Sequence, residues 1–329
     1  PVSRRRALTV LGAASAALPA ALWGGAGRAG PVAWEGRALG TTVSITLDHP
    51  DTATARAALD ACVAEIRRLE GELSLYRADS ALSALNREGV VAPPPADLAA
   101  VLGEARRVAA AAGGAFDPTV QPLWRLYMDH FATPGADSSG PPDAAVRSTL
   151  EKVDWRRLTV ADDALRLAGD GTAVTLNGIA QGWVTDRVAD VLRARGLTHV
   201  LVNLGEPRAL GPRADGSAWA IGVADPRDPR RALARLEKTD GAVATSGGYG
   251  TRLDPAGRFT HLFDPRTGRT AAPGESVTVS ARRAATADAL STALAVARPD
   301  ERRAIVRAMD PAATARVAGP GGTLTVVEA

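Results

Sequence analysis

Apolar and polar residues alternate along TTVSITL (41–47), and residues 31–47 read as a pair of strands. From Thr52 to Leu73 the period changes, with Ala58, Leu59, Cys62, Ile66 and Leu69 recurring at helical spacing. SLYRADSALSALNREG (74–89) reads as a polar turn running into a short helix, with Asp79 or Ser80 as its N-cap. Pro93–Pro95 close that region, and a helix follows over Leu98–Ala112, stopped by Gly113 and Gly114. TPGADSSGPPD (133–143) is a surface loop by composition. LRLAGDGTAVTL (165–176) predicts a hairpin turning at Asp170-Gly171. Gln181–Arg195 predicts a helix ended by Gly196, and HVLVNLG (199–205) a buried strand. WAIGVADP, AVATSG and RFTHLFDP read as further short strands, and SVTVSAR precedes a closing helix over Ala284–Ala297. Strands and helices are interspersed without a strict βαβ rhythm. The pattern predicts an α+β fold, with mixed or antiparallel sheets, packed helices and room for two lobes.

Composition narrows the class. The chain has 329 residues, 46% of them hydrophobic and 23% charged, which is a globular balance. Its single cysteine, Cys62, excludes an intrachain disulfide and any multi-cysteine metal site, and its helical setting reads as core. Residues 1–30 carry Arg4, Arg5 and Arg6, then an uncharged apolar stretch from Ala7 to Leu22, then small residues. That order is the layout of an export signal, and S-R-R-x-x-L is similar to a twin-arginine signal. The expectation is an extracytoplasmic or periplasmic protein whose working domain is 31–329. The net charge of +3 becomes −1 once the four arginines of residues 1–30 are set aside, so no basic nucleic-acid stripe remains. GAGRAG (25–30) matches G-x-G-x-x-G literally, but it opens no βαβ unit.

Four stretches carry candidate chemistry. In ATADALSTAL (285–294) Asp288 and Thr292 sit one turn apart on one helix face. Taken alone, the pair reads either as a solvent-facing stripe or as two oxygen ligands for a hard cation. GAFDPTVQPLW (114–124) sets Asp117 before a proline, between Phe116 and Trp124, as a rigid turn or a ligand contact. TLNGIAQGWVTD (175–186) puts Gly178 and Gly182 at the start of a helix, where backbone approaches closely and anions are favoured. HLFDPRTGRT (261–270) places His261 three residues before a second Asp-Pro turn. No G-x-x-x-x-G-K-[ST] loop, H-E-x-x-H or G-x-S-x-G is present.

Together with LGTTVSI (39–45), LSLYRADSALSALN (73–86), LVNLGE (201–206), AVATSGGY (242–249) and SVTVSA (276–281), these blocks resemble the FAD:protein FMN transferase family, in order along nearly the whole chain. The resemblance implies that Asp288, Thr292 and the Gly178 carbonyl bind Mg²⁺. It implies that Leu39, Tyr76, Ala115, Phe116, Asp117, Thr175, Gln181 and Leu262 line the site for FAD, the substrate. A threonine hydroxyl of a client flavoprotein would attack the FMN-side phosphorus and AMP would leave, with His261 as general base and Asp288 on the metal. Clients by analogy are exported domains of Na⁺-pumping quinone reductases, Rnf-type complexes or regulators of nitrous-oxide respiration, and membrane contact would come only through them. The chain departs from the family at Thr175, Asn177, Gln181 and Glu206. Two other functions stay open: Mg²⁺-dependent hydrolysis of FAD to FMN and AMP, and non-catalytic flavin carriage.

Overall fold

A computed structural model of the protein describes residues 32–38 and 41–329. The export-signal reading and Leu39 therefore lie outside the described residues. Alternation at the start does produce a hairpin, β1 (Val32–Ala38) with β2 (Thr41–Leu47), antiparallel and in register from Val32 opposite Leu47. The inward row Val43, Ile45 and Leu47 is buried, while Thr42 is exposed. Six helices and a small sheet then intervene before the chain returns to this sheet. They are α1 (Thr52–Leu73), α2 (Ala81–Glu88), β3 (Val90–Val91), α3 (Ala96–Ala111), α4 (Gln121–Ala132), α5 (Asp143–Leu150), β4 (Leu158–Val160), β5 (Leu165–Leu167) and α6 (Ala180–Arg193). Ser80 rather than Asp79 caps α2, its Oγ accepting from the Ser83 N–H at 3.0 Å.

The second half supplies β6 (Val200–Asn203), β7 (Pro207–Leu210), β8 (Trp219–Asp225), β9 (Asp228–Lys238), β10 (Gly241–Gly247), β11 (Ser276–Ala281), α7 (Ala284–Val296), α8 (Arg302–Met309), β12 (Thr314–Ala318) and β13 (Leu324–Val327). The main sheet has 8 strands in the order β1-β2-β6-β7-β10-β11-β12-β13, with every pairing antiparallel. β3, β5 and β4 form a second sheet, and β8 pairs with β9 alone. The α+β expectation holds.

Two local expectations do not. LRLAGDGTAVTL is no hairpin: β5 pairs with β3 and β4. Residues beyond the Gly171 turn have another partner, because Asn86 acts as a surrogate strand. Its Oδ1 accepts from the Val174 N–H at 2.6 Å and its Nδ2 donates to the Val174 carbonyl at 2.8 Å. RFTHLFDP is no strand either, and makes only isolated bridges, Arg252 with Thr260 and Phe263 with Thr270. Asp254 and Asp264 fold the chain on itself there, accepting from the N–H groups of Phe259 and Arg266 at 2.9 Å each.

One large apolar core joins α1, α3, α6 and α7 to the main sheet, and Cys62 is buried in it. A second, aromatic cluster gathers Leu123, Tyr127 and Phe263 with Trp124, Phe131 and Phe259 packed around them. Residues of both clusters, Phe116 of the first and Trp124 and Phe263 beside or within the second, line the cleft described below.

Candidate active site

α7 is almost wholly apolar, and it packs on β10 and β11. Its N-terminus has no capping side chain of its own. Asp186, at 0% exposure on α6, does that work from outside, Oδ1 accepting from the Ala284 N–H at 2.8 Å and Oδ2 from the Ala285 N–H at 3.1 Å. Arg208 on β7 and Arg283 pair with the same carboxylate. One turn into α7, Asp288 is 4% exposed, which rules out the solvent-stripe reading. Its Oδ2 accepts from the Gly182 N–H at 3.0 Å, in the first turn of α6. That bond needs the helices close, and only glycine permits it: a Cβ on Gly182 would lie 2.3 Å from the Ala284 carbonyl oxygen.

Thr292 follows on the next turn, with Oγ1 3.2 Å from the Ser246 Oγ, which in turn meets the Ser291 Oγ at 2.8 Å. Gly178 runs against it, since a Cβ there would sit 3.0 Å from the Thr292 Oγ1 and 3.1 Å from the Phe116 Cε2. Asp288, Thr292 and Gly178 thus meet at one point, although 110 residues separate Gly178 from Asp288.

They line a cleft, partly open to solvent, together with Ala115, Phe116, Asp117, Thr175, Gln181, His261 and Leu262. Tyr76 is 40% exposed and is not among the residues that line the cleft. Asp117 lines the cleft and its carboxylate is also engaged within the protein. Its Oδ1 takes the Thr119 N–H at 2.7 Å and hydroxyl at 2.6 Å, and its Oδ2 takes the Trp155 N–H at 2.9 Å. It braces the turn that presents Phe116.

His261 takes its tautomer from a main-chain contact. Its Nδ1 lies 3.2 Å from the Thr251 carbonyl, which only accepts, so Nδ1 carries the proton and Nε2 is left as a base. Burial pushes its pKa down to about 4, against the opposing pull of the Thr251 carbonyl. The imidazole is neutral throughout the physiological range.

Sequence reasoning missed Gln121, Trp124, Thr245 and Ser246 as lining residues, and treated Glu206 only as a departure. Glu206 is 4% exposed, and its Oε2 accepts from the Thr245 N–H at 3.2 Å. Burial, and then the charge of Asp288, hold its pKa well above the usual carboxylate range. Burial does the same to Asp288, aided by the charge of Asp186 and opposed by the Gly182 N–H. No basic side chain among the described residues pairs with either acid. Two buried carboxylates without a counter-charge, beside a hydroxyl and a glycine backbone, form an all-oxygen donor set that suits a hard divalent cation. Among the described residues no three His, Cys, Asp or Glu side chains converge on one point, so the protein's share of such a shell is small.

The ApbE family model matches residues 39–316, a span that includes every residue of this cleft. This chain belongs to the ApbE family. A FAD:protein FMN transferase of Vibrio cholerae is 32% identical over 290 residues, spanning 83% of this chain and 83% of its own length. One from Treponema pallidum is 32% identical over 279 residues, covering 78% of this chain and 75% of itself. Among solved structures, an ApbE protein of Thermotoga maritima superposes with a TM-score of 0.79 at 27% identity, over 91% of this chain and 97% of its own. The flavinyl transferase ApbE of Pseudomonas stutzeri in its apo form gives 0.75 at 26% identity, over 92% and 97%. The ApbE fold is therefore the frame on which this cleft is built.

Proposed function

We propose that this ApbE-family chain transfers FMN from FAD to a threonine hydroxyl of an acceptor protein, releasing AMP. The observation that carries the reading is the convergence of Asp288, Thr292, Gly178 and His261 in one cleft with an aromatic wall. Phe116, Trp124, Leu262 and Phe263 supply apolar surface for a flat ring system, and the Asp288 end supplies the polar oxygens. Asp288, Thr292 and the Gly178 carbonyl would hold Mg²⁺, which neutralises phosphate charge as the pyrophosphate bond breaks. His261 Nε2 accepts the hydroxyl proton as the threonine oxygen bonds to the FMN-side phosphorus and the AMP phosphate departs. Positioning does most of the remaining work, because phosphoryl transfer asks for alignment rather than covalent help. Gln181 and Thr175 are neutral, so charge in this cleft is concentrated at the Asp288 end.

The test incubates purified protein with FAD, Mg²⁺ and candidate acceptor domains, and follows AMP by chromatography and acceptor mass by intact spectrometry. An FMN-sized mass gain, with AMP formed only when acceptor is present, is the expected result. AMP without acceptor would identify FAD hydrolysis, and tight FAD binding with no AMP would identify a carrier. The acceptors to try first are exported flavoprotein domains of Na⁺-pumping quinone reductases, Rnf-type complexes and nitrous-oxide respiration regulators. The arginine-led N-terminal segment motivates an extracytoplasmic site of action, checked by fusing it to an export reporter. No helix among the described residues is long and apolar enough to cross a membrane.

A further inference from the structure

We propose that Glu206 is a second acidic group of the cation site, so that Glu206 and Asp288 together hold a divalent cation before any substrate phosphate arrives. The inference rests on the reading of the cleft given above and adds to it a residue that the ApbE resemblance does not supply.

Its placement is built, not incidental. Asn203 and Pro207 face each other across the β6–β7 hairpin, so Glu206 sits at a tight turn on the sheet. Gly205 makes that turn with φ +110, and a Cβ there would lie 3.0 Å from the Gln181 side chain. The Asn203 Oδ1 accepts from the Gly205 N–H at 3.2 Å and holds the bend. Pro207 then keeps Glu206 extended. The side chain is held against β10, where the Thr245 N–H donates to it, and β10 packs on α7, which carries Asp288.

Among the described residues no basic side chain pairs with it. Arg208, two residues on, is committed to Asp186, as is Arg283. Glu206 and Asp288 are both 4% exposed and both line the cleft. Two acids buried in the wall of one cavity are unfavourable as carboxylates until a proton or a cation neutralises them. The cavity wall there adds the hydroxyls of Thr292 and Ser246, which are further hard oxygens. Affinity for hard cations rises with the number of charged ligands. A second carboxylate therefore makes the site less dependent on phosphate oxygens for its affinity.

The test measures Mn²⁺ binding to the full chain without FAD, from the loss of the free-ion electron paramagnetic resonance signal. It is paired with the Mg²⁺-induced shift in Tm. The unmodified protein is expected to bind one Mn²⁺ and to gain Tm with Mg²⁺ alone. Glu206→Gln, which keeps the shape and removes the charge, is expected to weaken Mn²⁺ binding at least about tenfold. Added FAD should narrow the gap between the two proteins. Glu206→Gln binding Mn²⁺ as tightly as the unmodified protein would overturn the proposal. So would an unmodified protein that takes up no metal and gains no Tm until FAD is added, a result that needs no variant to fold. Metal binding with the expected Glu206 dependence, but no AMP under any condition, would sink the transfer reading and leave this one standing. FMN transfer with no metal uptake before FAD would do the reverse.

Discussion

Replacing Gly182 by Ala tests the closest contact in the site. Alanine is the better helix former by about 1 kcal/mol in a helix interior, so propensity alone predicts a gain. The geometry predicts the opposite. The new Cβ would lie 2.3 Å from the Ala284 oxygen, 2.5 Å from its carbon and 2.7 Å from the Ala285 Cα, all main-chain atoms that no side-chain rotation can move. α6 and α7 would have to separate by roughly 1 Å to restore ordinary contact, and overpacking of this kind costs about 1–3 kcal/mol. Separation also stretches the Gly182 N–H bond to the Asp288 Oδ2, now 3.0 Å. The expected outcome is a net loss of about 2 kcal/mol in urea denaturation, and AMP release reduced at least about tenfold. Gly103→Ala is the control, because it lies within α3 with nothing within 4 Å of the added Cβ, and stability there should rise. A Gly182→Ala protein as stable and active as its parent would refute the helix contact and the placement of Asp288 that depends on it.

Asp288→Asn should lower Mg²⁺-dependent AMP release at least about a hundredfold, and Thr292→Val less, both read in a steady-state assay. His261→Ala should cut FMN transfer by about 10²–10⁴ while FAD affinity, followed by fluorescence quenching, stays within a few-fold. Because burial pushes His261 down to about 4, the base is already neutral near pH 6, so transfer should show no inflection from this residue near the ordinary imidazole value of about 6.5. The same shift has a stability consequence: between about 6.5 and 4 the unfolded chain binds a proton that the folded one refuses, so stability falls as pH falls through that window. Comparison of chemical denaturation for the parent and His261→Gln checks it, since the variant should lose that part of the slope. Asp186→Ala removes a buried acid from two arginines and two helix N–H groups, and should cost about 3–5 kcal/mol in the same experiment.

Period and turn chemistry made much of the fold legible. The β1–β2 alternation, the α1 apolar stripe and the Ala-rich α7 all lie where their residues put them. The failures have local causes. β9 reads DPRRALARLEK, too charged to resemble a strand, and it is largely exposed in a two-stranded ribbon. α4 begins directly after the Asp117 turn and carries Pro122 in its first turn, a helix for which the sequence reading made no prediction. The 165–176 hairpin failed because Asn86, nearly ninety residues upstream, claimed Val174. In the site, Asp288, Thr292 and His261 stood out by residue type and by resemblance. Glu206 did not, because whether an acid is buried beside another acid depends on a sheet register that one strand's residues do not encode.

That register also explains how the cleft keeps its shape. Glu206 and Arg208 lie two apart on one extended segment, and so tend to project to the same side of it. Glu206 reaches the cleft, and Arg208 reaches Asp186. Asp186 caps α7 from α6, and α7 carries Asp288 back to the same cleft. The loop closes through Gly182, whose N–H on α6 holds the Asp288 carboxylate. Glu206, in the buried turn before β7, and Asp288, on α7, are thus tied together through Arg208, Asp186 and Gly182. Two repelling carboxylates would otherwise turn away from each other toward water. Here rigid neighbours hold both in place, so the relief available to them is neutralisation, by proton or by cation. If the cation site proposed above exists, that constraint lets a divalent ion enter without rearrangement of the protein.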